Sequence, residues 1–167
     1  MSDFNSNRTT IGPNDFLVSK TDLKGKITYC NQIFMKVAGY TEEELLGKPH
    51  NIVRHPDMPK IVFKLLWERI QNKEEIFAFV KNKTKDGGFY WVYANVTPSI
   101  NANGDIIGYY SVRRKVNENN LHKVEDLYAQ LLEKEQLGGI RASEEYLNNF
   151  LTKQGVSYDE FIASLQG

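Results

Sequence analysis

Apolar residues change period several times along this chain, and each change marks an element. Phe16-Leu17-Val18-Ser19 and Lys26-Ile27-Thr28-Tyr29-Cys30 are short extended runs. They are joined through Asp22-Leu23-Lys24-Gly25, whose polar side chains and glycine suit a turn, so a first hairpin is predicted. Asn31 can then cap a short helix with Ile33, Phe34, Val37 and Ala38 on one side and Gly39 at its end. Thr41-Glu42-Glu43-Glu44 has the spacing of a capping box and opens another short helix that ends near Gly47. Between Pro59 and about Asn72, Ile61, Val62, Leu65, Leu66 and Ile70 recur at helical spacing. Three extended stretches follow, Glu75–Lys83, Phe89–Ile100 and Ile106–Arg114, and the breaks between them carry the Gly and Asn/Asp chemistry of hairpin loops. Two strands, several short helices and a three-strand meander predict an α+β domain over residues 16–116, with the helices on one face of a five-stranded antiparallel sheet.

On either side the pattern differs. Residues 1–15 are rich in Ser, Asn and Thr and read as a flexible arm. Residues 117–167 read as a helical tail. Leu121, Val124, Leu127, Tyr128, Leu131 and Leu132 make an apolar stripe on a helix of four to five turns, which Gly138-Gly139 should end. Ser143 and Ser157, the latter with Glu160, look like caps of two further helices carrying Leu147, Phe150, Leu151, Phe161, Ile162 and Leu165. These stripes need a cover: the chain's own sheet, a second copy, or a partner. The roughly heptad start of the first stripe favours docking on a neighbour, with a core that stays folded and keeps its cofactor when residues 117–167 are removed.

Composition narrows the classes. At 167 residues with 41% hydrophobic positions the chain can bury a core, and no run approaches the roughly 20 apolar residues of a membrane span. The polar start lacks the apolar run of a secretory leader, so a cytoplasmic place is expected, at the membrane only through a receptor partner. A single cysteine, Cys30, excludes an internal disulfide framework. Net charge is zero, yet residues 1–116 carry 17 Lys and Arg against 12 Asp and Glu, while residues 117–167 carry 4 against 9. The two parts should therefore attract each other weakly. No basic stripe with exposed aromatics argues for nucleic acid. No phosphate loop, nucleophile elbow or Ser/His/Asp set is present, so an enzyme is not expected.

The densest chemistry lies in Gly47-Lys48-Pro49-His50-Asn51-Ile52-Val53-Arg54-His55-Pro56-Asp57-Met58-Pro59. Three prolines stiffen it, which suits recognition of a fixed ligand because little loop entropy remains to be lost on binding. A second reading is equally open: Asp57 or Met58 caps the helix that starts at Pro59, and Arg54 and His55 are solvated. Further on, Ile76, Ala78, Val80 and Asn82 share one face of a strand, so Asn82 would be an amide on an apolar wall, in need of partners.

The run His50-Asn51-Ile52-Val53-Arg54-His55-Pro56-Asp57-Met58-Pro59 resembles the flavin-pocket motif of the PAS domains of the aerotaxis-receptor (Aer) family. Local matches at Ile27-Thr28-Tyr29-Cys30-Asn31, Gly39-Tyr40-Thr41, Val80-Lys81-Asn82, Phe89–Asn95 and Gly108–Arg113 extend it from about Leu17 to Arg114. The tail is similar to that of small stand-alone PAS proteins of the CetB type. The resemblance implies FAD as cofactor, with Arg54, His55, Asp57 and Asn82 at the binding site and no metal. It also implies a redox or oxygen sensor for aerotaxis or energy taxis, whose partner is the cytoplasmic part of a membrane chemoreceptor-like protein, with a homodimer as a further expectation. One departure stands out: the family tryptophan near the start of the third strand is absent, since this chain reads Glu74-Glu75-Ile76-Phe77. Phe77, Phe79 or Trp91 is expected to supply a ring contact in its place. Haem, held through His50 or His55, is the alternative cofactor. A ligand-free interaction module and a small flavin oxidoreductase are the alternative functions.

Overall fold

The computed structural model describes residues 7–167. In chain order the elements are β1 (Leu17–Thr21), β2 (Ile27–Cys30), α1 (Gln32–Ala38), α2 (Glu42–Leu45), a 3-10 turn (His50–Val53), α3 (Lys60–Gln71), β3 (Ile76–Lys83), β4 (Phe89–Ile100), β5 (Ile106–Arg114), α4 (Leu121–Gln154) and α5 (Tyr158–Gln166). The strands form one sheet in the order β2-β1-β5-β4-β3, with every neighbouring pair antiparallel. Local chemistry accounts for the element ends. Asn31 Oδ1 accepts the N–H groups of both Phe34 and Val18, so one amide caps α1 and ties it to β1. Thr41 and Glu44 close the expected capping box on α2.

Strand alternation divides the sheet into two faces. Ile76, Ala78, Val80 and Asn82 of β3 stand opposite Val96, Ala94, Val92 and Tyr90 of β4, and this face continues through Tyr109, Ser111 and Arg113 of β5 to Thr21, Ser19 and Leu17 of β1. It packs against α1 and α3. The other face carries Phe77, Phe79 and Lys81 opposite Asn95, Tyr93 and Trp91.

That outer face is where the tail goes. Leu121, Val124, Leu127, Tyr128 and Leu131 are buried and join the same core cluster as Phe79, Trp91 and Tyr93. The Tyr128 ring lies 6.0 Å from that of Trp91 and its hydroxyl donates to the Phe79 carbonyl at 2.6 Å. From α5, the Tyr158 hydroxyl donates to the Phe77 carbonyl at 2.8 Å. The stripe expected to dock on a neighbour is therefore covered by the chain's own sheet, because aromatic residues on β3 and β4 leave that face too apolar to stand in water. α4 is broken at Gly139, whose φ of 74° and ψ of −168° lie in a region open to glycine. The break comes where the sequence placed it, and the second arm turns back so that Lys134 lies over the Tyr146 ring. Ser143 does not cap a new helix; its hydroxyl donates to Glu135 and the Ile140 carbonyl.

The charge asymmetry has a structural counterpart. Arg8 pairs with Glu118 at 2.6 Å, Arg69 with Asp159 at 3.1 Å, and Lys64 with Glu144. Each joins a basic residue of the first part to an acidic one of the tail. The flexible arm expected over residues 1–15 lies partly outside the described residues. Within them, residues 7–9 bond the backbone of Phe89 and Ile11 is buried, so this part of the arm is fastened to the β3–β4 hairpin.

Candidate ligand cavity

Between α3 and the inner sheet face lies a cavity of about 220 Å³. Its walls are mostly apolar: Val80, Ala94 and Val96 from the sheet, and Phe63, Leu66, Trp67 and Ile70 from α3. The spacing of those α3 residues is that of one helical face. Trp67 stands edge-on to Tyr109 at 5.4 Å and comes so close to the β1–β2 turn that a Cβ on Gly25 would lie 3.3 Å from its ring. Gly25, with φ of 82°, is thus required both for the turn and for the indole beside it.

The polar end is built around Arg113, which is buried at 2% exposure. Its guanidinium stacks on Phe34 with 4.5 Å to the ring centroid. One terminal nitrogen donates to His50 Nε2 and to Ser111 Oγ, both at 3.0 Å, and the other to Ser19 Oγ at 2.9 Å. Since a guanidinium can only donate, His50 must present an unprotonated Nε2, which the Ser19 hydroxyl also reaches at 2.9 Å. Burial and then the neighbouring Arg113 charge push His50 down to about 3, so the ring is neutral. Burial also lowers Arg113, to about 10, which leaves it cationic at neutral pH. Among the described residues no carboxylate pairs with it, and its Nε has no hydrogen-bond partner. A buried cation among neutral acceptors is costly, and a group that brings negative charge to it recovers that cost.

Arg54 and Asn82 meet at this cavity as well. Their backbones form an isolated antiparallel bridge, Asn82 is buried at 4%, and both line the space. The Arg54 guanidinium lies 3.7 Å over the Phe63 ring, which fixes its direction. Asn82 sits beside Tyr90, whose hydroxyl is pushed up to about 12 by burial, against the opposing influence of Arg113 and the Asn82 side chain.

His55, Asp57 and Trp91 are elsewhere. His55 is fully buried, edge-on to Phe89 at 6.1 Å, and its Nδ1 accepts the Asp57 N–H at 3.0 Å. Burial, then the nearby Lys81 charge, lowers it to about 4. Asp57 reaches the Lys81 ammonium at 3.0 Å, and that ammonium lies 4.6 Å over Phe89. The His55 N–H bonds the Lys81 carbonyl and Met58 Sδ accepts the Lys81 N–H, so these residues clamp the loop to β3. Trp91, Phe77 and Phe79 face the tail; the indole and phenols that line the cavity are those of Trp67, Tyr109 and Tyr110. Register sets this placement, since Trp91 pairs with Lys81 and thereby takes the outward face.

The family described as the PAS fold matches residues 15–116. The chain belongs to the PAS family. It is 43% identical over 123 residues to the aerotaxis receptor of Escherichia coli (strain K12), across 74% of this chain and 24% of that protein. Over 87 residues it is 29% identical to the biofilm dispersion protein BdlA of Pseudomonas aeruginosa, across 52% of this chain and 21% of that one. The PAS chain thus spans about a quarter or less of these relatives' length. Among solved structures, the dark state of the blue-light photoreceptor Aureochrome1 LOV is 26% identical, with a TM-score of 0.56, across 72% of this chain and 83% of that one. Among the described residues of the PAS chain no helix is long and apolar enough to cross a membrane.

Sequence reasoning left Arg113, Ser19 and Trp67 out of the PAS cavity. A signal existed for Arg113: with Tyr109 and Ser111 it follows the period of two that carries the inner face of β5. Trp67 was findable from Phe63 and Ile70, one turn away on either side. The alternative haem reading draws on His50, whose Nε2 is engaged by Arg113 and Ser19.

Proposed function

We propose that this PAS chain binds a flavin, FAD by the family resemblance, and reports redox or oxygen status to a separate receptor. The observation that carries the reading is the buried Arg113, with no carboxylate partner among the described residues, at the polar end of a mostly apolar cavity. When bound, the isoalloxazine would supply reversible redox chemistry that adds negative charge to the ring on reduction. The residues present fit such a group. Val80, Ala94 and Trp67 would hold its plane, Asn82 its amide-like edge, and Arg113 and Arg54 its electron-rich oxygens. At about 220 Å³ the cavity is smaller than the roughly 300–1,000 Å³ of drug-sized ligand sites, so it would enclose the rings and leave the rest of the cofactor outside, past Lys24 and Asn51.

His55 and Asp57 act here as positioning residues: they hold the loop on β3 and so keep Arg54 against Asn82. A change of one charge near Arg113 in a partly buried site is worth several kcal/mol, enough to bias a two-state element. The receptor partner proposed from the resemblance must use a surface other than the α4 stripe, which is buried.

The test is a titration of purified protein with FAD, in wild type and in Arg54→Ala. Uptake of one flavin per chain, weakened in the variant, supports the reading. Equal uptake by both removes Arg54 from the site, and absence of uptake by the wild type rejects flavin.

A further inference from the structure

The wall of the cavity formed by α3 is held from outside the PAS core. Pro59 stands at the N-cap of α3 and no side chain of the preceding loop caps the helix. Instead the Glu135 carboxylate, from the first arm of α4, accepts the Lys60 N–H at 2.8 Å through Oε1 and the Ile61 N–H at 3.0 Å through Oε2. The same Oε2 accepts the Ser143 hydroxyl at 2.8 Å, from the arm beyond the Gly139 break. One carboxylate therefore ties the first turn of α3 to both arms of the tail hairpin. A negative charge there also opposes the positive end of the helix dipole. Two segments that line the cavity meet at this turn: the loop that carries Arg54 ends at Pro59, and Phe63, Leu66, Trp67 and Ile70 follow along α3.

We infer that Glu135 is a positioning residue for the cavity, so that docking of the tail and occupancy of the cavity are thermodynamically coupled. The inference rests on the cavity being a ligand site. Anything that moves the first turn of α3 strains the Glu135 contacts, and loss of those contacts frees α3 to drift from the ligand. Coupling of this kind is reciprocal: whatever factor the docked tail adds to ligand affinity, the ligand adds to tail docking.

The experiment uses the full chain with FAD as the probe, in wild type, Glu135→Gln, Glu135→Ala and Tyr128→Phe. Tyr128→Phe loosens the tail at the outer face and leaves α3 capped. Glu135→Ala should weaken FAD binding by about fivefold, Glu135→Gln by less, and Tyr128→Phe least of all, because it loosens the tail but leaves the Glu135 contacts to α3 in place. Amide exchange over residues 60–70 should quicken in the two Glu135 variants alone. Bound FAD should slow exchange in residues 131–147 of the wild type but not of Glu135→Ala. Wild-type affinity in Glu135→Ala overturns the inference, as does an equal loss of affinity in Tyr128→Phe at the same loss of thermal stability. If the wild type takes up no FAD, the flavin reading falls and exchange decides the clamp: faster exchange over 60–70 in Glu135→Ala than in Tyr128→Phe supports it, and equal rates overturn it.

Discussion

Arg113 directs three of its donors to two hydroxyls and a neutral imidazole, where a buried guanidinium ordinarily meets a carboxylate. Stability and binding should therefore part company at this residue. Arg113→Met removes an uncompensated buried charge, so the ligand-free protein should melt no lower than wild type, while flavin affinity falls by at least about tenfold. Thermal melts and a flavin titration check the two halves; a lower melting point with unchanged affinity would make Arg113 purely structural. Asn82→Asp places a negative charge on the wall that Arg113 and Arg54 make positive, which disfavours further negative charge on a bound ring. The midpoint potential should fall by roughly 50–100 mV. An unchanged potential with cofactor retained would put Asn82 outside the ring's reach. The histidines give a pH test. His50 and His55 sit at about 3 and about 4, well below the ordinary imidazole value near 6.5, so the unfolded chain binds protons that the folded one refuses. Their contribution is complete above about pH 6.5 and is lost as pH falls toward 4 and then 3. Melting temperature should fall between pH 6.5 and 5, and His55→Gln should flatten that slope.

Among the elements, the tail hairpin turns on Gly139. Its backbone angles are open to glycine and strained for any residue with a Cβ, so Gly139→Ala should cost about 1–3 kcal/mol in chemical denaturation. A neutral result would mean that the two arms of α4 tolerate another geometry. Most elements were legible because each end has its own chemistry: Asn31 and Gly39 around α1, the Thr41–Glu44 box on α2, the Ser157–Glu160 box on α5. Alternation grouped Asn82 with Ile76, Ala78 and Val80, and the apolar character of that set marked it as an inner wall. The face of Trp91 did not follow in this way, because a period of two gives relative parity within a strand, and only the pairing register with β3 says which set points inward. The destination of α4 was equally closed to periodicity. A stripe states that a cover exists, and the cover is Tyr93 together with Phe79 and Trp91, two residues whose rings the sequence suggested for the pocket. Nor does the Pro-rich loop state its own direction: Arg54 lines the cavity, while His55 and Asp57 turn away to clamp the loop on Lys81.

At the scale of the whole molecule, PAS core and tail share one buried cluster, the acidic tail meets the basic core through three ion pairs among the described residues, and Glu135 completes a helix that the core leaves uncapped. Removing residues 117–167 should therefore do more than silence a signal. It would expose Phe79, Trp91 and Tyr93 at about 25 cal/mol per Å² of apolar surface, and the truncated chain should lose its cooperative melting transition or aggregate. A monomeric, cooperatively folding fragment 7–116 would show that the tail is a separable accessory. The central claim is that the cavity on the inner face holds a flavin whose redox state the protein reads. Its most direct test is the visible absorbance spectrum of the full chain as purified, taken in air and again after reduction. The account predicts the two-band spectrum of a bound flavin, about one per chain, that bleaches on reduction and returns in air. An intense Soret band, or a colourless protein that takes up no added FAD, would contradict it.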